Sequence, residues 1–176
     1  DCSQAHGAMY KRKPVGTFGD IATWSFCQDK IISTGGEGGM ISTRNKKLWM
    51  KCWSLKEHGK NFKKLFFKKH KTGYKLVHDY LGSNHRLTEM QATIGRLQLR
   101  DLNTQIRQRN KIAFFIISNL SDFFTKYQLL TKSNFKCKTC PKKIKKECND
   151  CRHAFYRLNL FINPKKINQI KFIEEI

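Results

Sequence analysis

The sequence predicts an α/β chain, and three features predict it. Ile21-Ala22-Thr23-Trp24-Ser25-Phe26 is a short run rich in β-branched and aromatic residues, the composition of a buried strand. A polar turn and two glycine pairs follow, Gly35-Gly36 and Gly38-Gly39 on either side of Glu37, before Met40-Ile41-Ser42-Thr43 resumes an extended pattern. Apolar residues then recur at helical spacing in long stretches after Asn45 and after Thr88.

Each element has a local reason. Asp1 to Gly7 is expected to leave a strand. Ala8 to Thr17, with Pro14 and Gly16, reads as a basic, hairpin-like connection. Lys30 falls in the turn just past the predicted strand. The glycine-rich segment lacks the P-loop pattern, and its glycines suit positive φ and close backbone approach. Asn45 is the N-cap of a helix that runs to about Glu57, with Leu48, Trp49, Cys52 and Trp53 on one face and Gly59 ending it. Lys60 to Lys75 mixes lysines with Phe62, Phe66 and Phe67, a mixture that could stack nucleic-acid bases. Thr88 caps the next helix, with Gln91 completing a capping box, and Met90, Ile94, Leu97 and Leu99 are expected on its buried side. Leu102, Ile106, Ala113, Ile116 and Leu120 continue the helical spacing, with Arg107, Arg109 and Lys111 as a solvated face. His153 to Ile162 alternates, with Ala154, Tyr156, Leu158, Leu160 and Ile162 on one face. It is expected to be a half-buried strand ended by Asn163-Pro164. A last helix is expected over Asn168 to Ile176.

The net charge is +22 over 176 residues, with 26 lysines and 9 arginines. Such a charge can neutralise phosphates, so a basic nucleic-acid-binding protein is one alternative function. Base readout favours Arg, however, and Lys predominates here beside abundant Ile, Asn and Phe, which points to compositional bias and a soluble surface. The field suits capture of anionic small molecules. The chain has no apolar run long enough to span a bilayer and no secretory signal at its start. It has no initiator Met and stops within an expected helix, so it is expected to be an internal fragment of a longer protein, inactive alone. The other alternative is an inactive remnant of a truncated gene.

Several ordered motifs carry a family resemblance. They are D-x-x-Q-A-H-G-A from Asp1, G-T-F-G-D-I-A-T-W-S-F-x-x-x-K from Gly16 to Lys30, and T-G-G-E-G-G-M from Thr34. His58-Gly59 follows, and then Gly82-x-Asn84-x-Arg86-x-Thr88-Glu89-Met90-Gln91-Ala92. Together they resemble the pyridoxal-phosphate-dependent sugar aminotransferases of the DegT/DnrJ/EryC1/StrS family, from Asp1 to about Leu120 and again over His153 to Pro164. The resemblance implies the aspartate-aminotransferase type I fold. Residues 1–101 would be the later part of the cofactor-binding large domain, 102–120 a linking helix, and 121–176 part of a small α+β domain. It also implies pyridoxal 5'-phosphate as cofactor, amino transfer from glutamate to a nucleotide-linked keto-sugar, a cytoplasmic setting, and a homodimer with shared active sites. For Lys60 to Lys75 it implies, instead of a base-stacking surface, a basic, mobile active-site loop that reaches toward the neighbouring subunit.

The implied roles follow residue by residue. Lys30 condenses with the cofactor aldehyde and, once released, moves the proton; some family members carry His there and act as dehydratases. Asp1 keeps the ring nitrogen protonated so that the ring accepts electrons. Gln4 meets the ring 3'-oxygen, Ser25 the phosphate, and Asn84 the phosphate of the partner's cofactor. His6 and Arg86 are candidate substrate contacts; His6 also reads as a structural hydrogen bonder, and Arg86 as a residue that orders its loop.

Phe123 to Asp150 departs from the family. Cys137-x-x-Cys140 and Cys148-x-x-Cys151 have metal-ligand spacing, and four thiolates would hold a structural zinc. Disulfides, disfavoured in a reducing compartment, or idle thiols are the alternatives. Cys2, Cys27 and Cys52 lack that spacing and are expected to be buried.

Overall fold

In a computed structural model the residues described are 1–68, 78–119, 150–159, 165 and 168–174. The chain forms two units. One comprises Asp1–Gln4 and Gly16–Arg100, the other Ala5–Val15 and Asp101–Ile176.

The first unit is built on an antiparallel pair, β3 (Ala22–Ser25) and β4 (Gly39–Ser42). Two shorter strands, β1 (Met9–Tyr10) and β2 (Lys13–Pro14), precede these in the chain and belong to the second unit. The register is Ala22↔Ser42, Thr23↔Ile41, Trp24↔Met40 and Ser25↔Gly39. The predicted strands therefore form, each within a residue or two of its expected limits. Trp24 Nε1 donates to Ser42 Oγ at 3.0 Å, a cross-strand contact that holds this register.

Helix α1 (Lys46–Lys56) begins where Asn45 accepts from the backbone N–H groups of Lys47 and Leu48 at 2.9 and 3.2 Å. Residues 62–67 depart from the expected loop. Asn61 caps a short helix there, α2 (Phe62–Phe67). Phe62 meets Trp49 and Trp53 of α1 edge-on, with centroids 4.9 and 5.0 Å apart. Stacking on α1 gives this lysine-rich stretch an apolar reason to fold. Residues 69–75 of the expected loop lie outside the described residues.

Helix α3 runs unbroken over Glu89–Asn119, as the helical spacing that continues past Leu102 predicts. Its start is the expected capping box: Gln91 N donates to Thr88 Oγ1 at 3.3 Å, and Thr88 N donates to Gln91 Oε1 at 3.1 Å. The expected burial of Met90, Ile94, Leu97 and Leu99 is not found. All four are exposed. Helical spacing identifies an apolar stripe, but burial also needs a surface to cover it, and this stripe has little cover among the described residues.

In the second unit, β1 (Met9–Tyr10) and β2 (Lys13–Pro14) pair antiparallel around a two-residue turn. Lys11 and Arg12 both adopt positive φ there, as a primed hairpin turn requires. Met9 and Arg152 exchange backbone hydrogen bonds at 2.9 Å in each direction. Arg12 forms an ion pair with Asp150. Ile106 and Asn110 of α3 are fully buried. Asn110 Nδ2 donates to Ile106 O and to His153 O, each at 2.8 Å. A Cβ on Gly7 would lie 2.7 Å from Ile106 Cγ1, so this glycine permits close packing.

The expected strand from His153 is not one over the described residues 153–159. Its alternation survives, with Ala154 buried and Tyr156 and Leu158 half-buried. However, Phe155 adopts φ 45°, which breaks an extended run, and the bridge to Met9 ends at Arg152. Leu160 and Ile162 lie outside the described residues. A short helix, α4 (Gln169–Glu174), is capped by Asn168 and buries Phe172. No helix of the described residues is long and apolar enough to cross a membrane.

Candidate active site

The first unit contains Asp1, Gln4, Ser25, Lys30, Asn84 and Arg86 of the residues singled out above. Asp1–Gln4 lies alongside β3, because Cys2 N donates to Thr23 O at 2.8 Å and the Cys2 side chain is buried. The Asp1 carboxylate accepts at Oδ1 from Ser3 N at 2.9 Å and Ser3 Oγ at 2.6 Å, and Gln4 is exposed. Ser25 ends β3 opposite Gly39, and its Oγ accepts from Cys27 N at 3.3 Å. That bond leaves the hydroxyl proton available to donate to an anion.

Lys30 sits in the loop between β3 and β4. The loop closes on itself: Phe26 N donates to Gly38 O at 2.8 Å, Thr34 N to Phe26 O at 3.2 Å and Lys30 N to Cys27 O at 3.0 Å. Ile31, Ile32 and Thr34 are buried and anchor it. Helix α3 fixes it from one side. Gln98 Oε1 accepts from Ser33 N, and Gln91 Nε2 donates to Glu37 O, both at 2.8 Å. This approach depends on Gly95, where a Cβ would lie 2.9 Å from Thr34 Cγ2. Gly38 is equally constrained, since a Cβ there would lie 2.3 Å from Thr34 Oγ1.

Lys30 is only 16% exposed, and its Nζ lies 3.3 Å from Asp29 Oδ1. Cys27, expected to be buried, is half-buried and donates its thiol to Glu37 Oε1 at 3.2 Å. The bond to Glu37 raises the thiol's pKa; a backbone hydrogen bond at Asp29 opposes the rise, and burial, the Asp29 side chain and the charge of Glu37 add to it. The acids Asp29 and Glu37 were not among the sequence candidates. The position of Glu37 between two glycine pairs was the available signal; Asp29 was marked only by its adjacency to Lys30.

The second motif forms a compact junction. Gly59 has φ 75°, and a Cβ there would fall 1.7 Å from Tyr80 O; one on Gly82 would fall 2.1 Å from Gly59 N. His58-Gly59 and Gly82-x-Asn84 thus interlock backbone to backbone. Asn84 bridges Glu57, and its Oδ1 accepts from Arg86 Nε at 2.8 Å. Arg86 Nε also lies 3.7 Å from Glu57 Oε2. Burial pushes the Glu57 carboxyl up, but the hydrogen bond and charge of Lys56, with the charges of Arg86 and Lys60, hold it below its ordinary value. Arg86 thus contacts both Asn84 and Glu57 at this junction.

His6 belongs to the second unit and is buried at 3% exposure. Of the four clustered cysteines, Cys137, Cys140 and Cys148 lie outside the described residues. Cys151 is half-buried.

The donor set fits pyridoxal phosphate. The same unit carries a shielded amine, a hydroxyl at a strand end and a carboxylate on the adjoining segment, beside a glycine-rich loop with open space at Gly36.

Comparison with known proteins agrees. Residues 1–171 match the DegT/DnrJ/EryC1/StrS aminotransferase family. GDP-perosamine synthase of Escherichia coli O157:H7 is 38% identical over 121 residues, which is 69% of this chain and 30% of that protein. dTDP-3-amino-3,6-dideoxy-alpha-D-galactopyranose transaminase of Aneurinibacillus thermoaerophilus is 33% identical over 70% of this chain and 31% of its own length. The aminotransferase from Psychrobacter cryohalolentis superposes with a TM-score of 0.82 at 37% identity, covering 97% of this chain and 41% of that one. The chain spans less than half the length of these relatives, and its fold is that of the type I pyridoxal-phosphate-dependent aminotransferases. It belongs to the DegT/DnrJ/EryC1/StrS aminotransferase family.

Proposed function

We propose that the protein transfers an amino group to a nucleotide-linked keto-sugar, with glutamate as donor, in amino-sugar synthesis for surface polysaccharides or secondary metabolites. The placement of Lys30 carries the reading. It lies in a loop closed by backbone hydrogen bonds and pinned by α3, with Ser25 at the start of the loop and Asp1–Gln4 alongside the same strand.

Pyridoxal phosphate, when bound, supplies an aldehyde that condenses with amines and a ring that accepts electrons from carbon. The chain's own residues do the rest. Lys30 Nζ must be neutral to act as a nucleophile, and its shielding from water favours that form. Nζ would take a proton from the donor's α-carbon in the first half-reaction and give one to the sugar carbon that receives the amine in the second. Asp1 would hold a proton on the ring nitrogen, Gln4 would orient the ring oxygen, and the Ser25 hydroxyl would donate to the phosphate.

The relatives named for GDP- and dTDP-linked sugars support a nucleotide-sugar substrate. The net charge of +22 favours its capture. Asn84 is assigned to the partner subunit's phosphate site, which makes the enzyme a homodimer with shared sites. Its bond from Arg86 would aim the side-chain amide. His6 and Arg86 are held as candidate substrate contacts, and the setting is cytoplasmic. Cys137, Cys140, Cys148 and Cys151 would hold a structural zinc that staples the lysine-rich insertion.

The full-length protein incubated with pyridoxal phosphate should gain a visible absorbance band that glutamate bleaches. Lys30→Ala should show neither effect. A band of equal strength in Lys30→Ala would overturn the assignment.

A further inference from the structure

Lys30 is a shielded amine beside a carboxylate, and these two features oppose each other. Exclusion of water favours the neutral amine, while a negative charge 3.3 Å from Nζ favours the ammonium. The turn keeps the pair together. Lys30 N is bonded to Cys27 O at 3.0 Å, and Ile31 and Ile32, which follow directly, are each 3% exposed. The backbone between Asp29 and Lys30 therefore has little freedom to separate the two side chains.

The other titratable groups of the loop are Cys27 and Glu37; the Cys27 thiol bonds to Glu37 and also meets the backbone and side chain of Asp29, so the Asp29 carboxylate is shared between Cys27 and Lys30. Helix α3 presents Gln91, Ile94, Gly95 and Gln98 to the loop, none of which titrates. The Cys27 thiol carries no charge until it ionises, and Glu37 accepts its proton. Asp29 is the carboxylate that the described contacts place against the Lys30 amine.

We propose that Asp29 is a positioning residue for Lys30: its carboxylate holds Nζ as an ammonium in the cofactor-free protein and so sets the pH at which Lys30 becomes nucleophilic. This rests on the reading of Lys30 as the reactive amine. Asp29 is 48% exposed, so solvent screens the pair, and the expected effect belongs at the modest end of the range for ion pairs. As pH rises, the Lys30 proton leaves to solvent and the attraction to Asp29 lapses. In the Asp29→Asn variant, that release comes about half a pH unit earlier, roughly a threefold gain in neutral amine below the midpoint.

The test is competitive acetylation of the cofactor-free full chain with isotopically labelled acetic anhydride across a pH series, read by peptide mass spectrometry. The remaining 25 lysines serve as internal references, since the chain has 26 in all. Support is a lower midpoint for Lys30 in Asp29→Asn, a midpoint retained in Asp29→Glu, and no movement at the reference lysines. A wild-type midpoint that falls in about 1 M salt also supports it, and needs no variant. An unchanged Lys30 midpoint in both Asp29→Asn and high salt overturns the proposal. A Lys30 that stays unlabelled at every pH, while the references react, overturns the underlying assignment of the reactive amine and this inference with it.

Discussion

Gly95→Ala should destabilise the protein, against the expectation from helix propensity. Gly95 lies within α3, where alanine is favoured over glycine by about 1 kcal/mol. Its α-carbon faces the Lys30 loop, however, and an added Cβ would sit 2.9 Å from Thr34 Cγ2. Thr34 is 1% exposed, and its β-branched side chain is stiff. Relief therefore requires α3 or the loop to move, at an overpacking cost of about 1–3 kcal/mol. The net loss is about 1 kcal/mol, or about 0.5 M in urea midpoint for a slope near 2 kcal/mol/M. Thr34→Ser removes the offending methyl and keeps the hydroxyl. In that background Gly95→Ala should stabilise by about 1 kcal/mol, giving a coupling near 2 kcal/mol in the double-mutant cycle. Equal stabilisation by Gly95→Ala in both backgrounds would refute the contact and the claim that α3 fixes the Lys30 loop.

Three further outcomes are expected. Thr88→Ala removes the reciprocal cap of α3 and should cost about 1 kcal/mol in chemical unfolding, while Thr88→Ser should cost far less. Asn110→Leu leaves His153 O without its donor in a buried place and should cost about 1–3 kcal/mol, despite the gain in side-chain hydrophobicity. The Glu57 junction should weaken in acid. Because the Glu57 carboxyl is depressed in the folded state, its contribution is complete above the unfolded value, about 4.3, and is lost as pH falls through the lower folded value. Stability measured across that window should fall less steeply in Glu57→Gln than in the wild type.

The start points of the helices were legible because caps are local. Asn45 and Thr88 each declare a helix through a side chain that reaches two or three residues along the chain. Both strands flanking the Lys30 loop were also legible, from β-branched and aromatic composition. Contacts made by chain reversal were not. The Cys27–Glu37 bond joins residues ten apart, and α3 meets the loop through Gln91 and Gln98, more than fifty residues further on. Asn110 could have been found as a polar residue four positions after Ile106 on the apolar stripe. The alternation from His153 misled because period two also fits an irregular segment whose alternate residues are buried, and nothing local announces the positive φ of Phe155. The exposed stripe of Met90, Ile94, Leu97 and Leu99 shows the limit of periodicity, which orients a face without supplying what covers it.

One amine among 26 lysines is assigned the reactive role. Borohydride reduction of the full chain loaded with stoichiometric pyridoxal phosphate, followed by peptide mapping, would locate the attachment directly. A single modified peptide carrying the cofactor on Lys30 is expected, with the label abolished by Lys30→Ala. Label concentrated on any other lysine, or spread evenly over the lysine-rich surface, would contradict it.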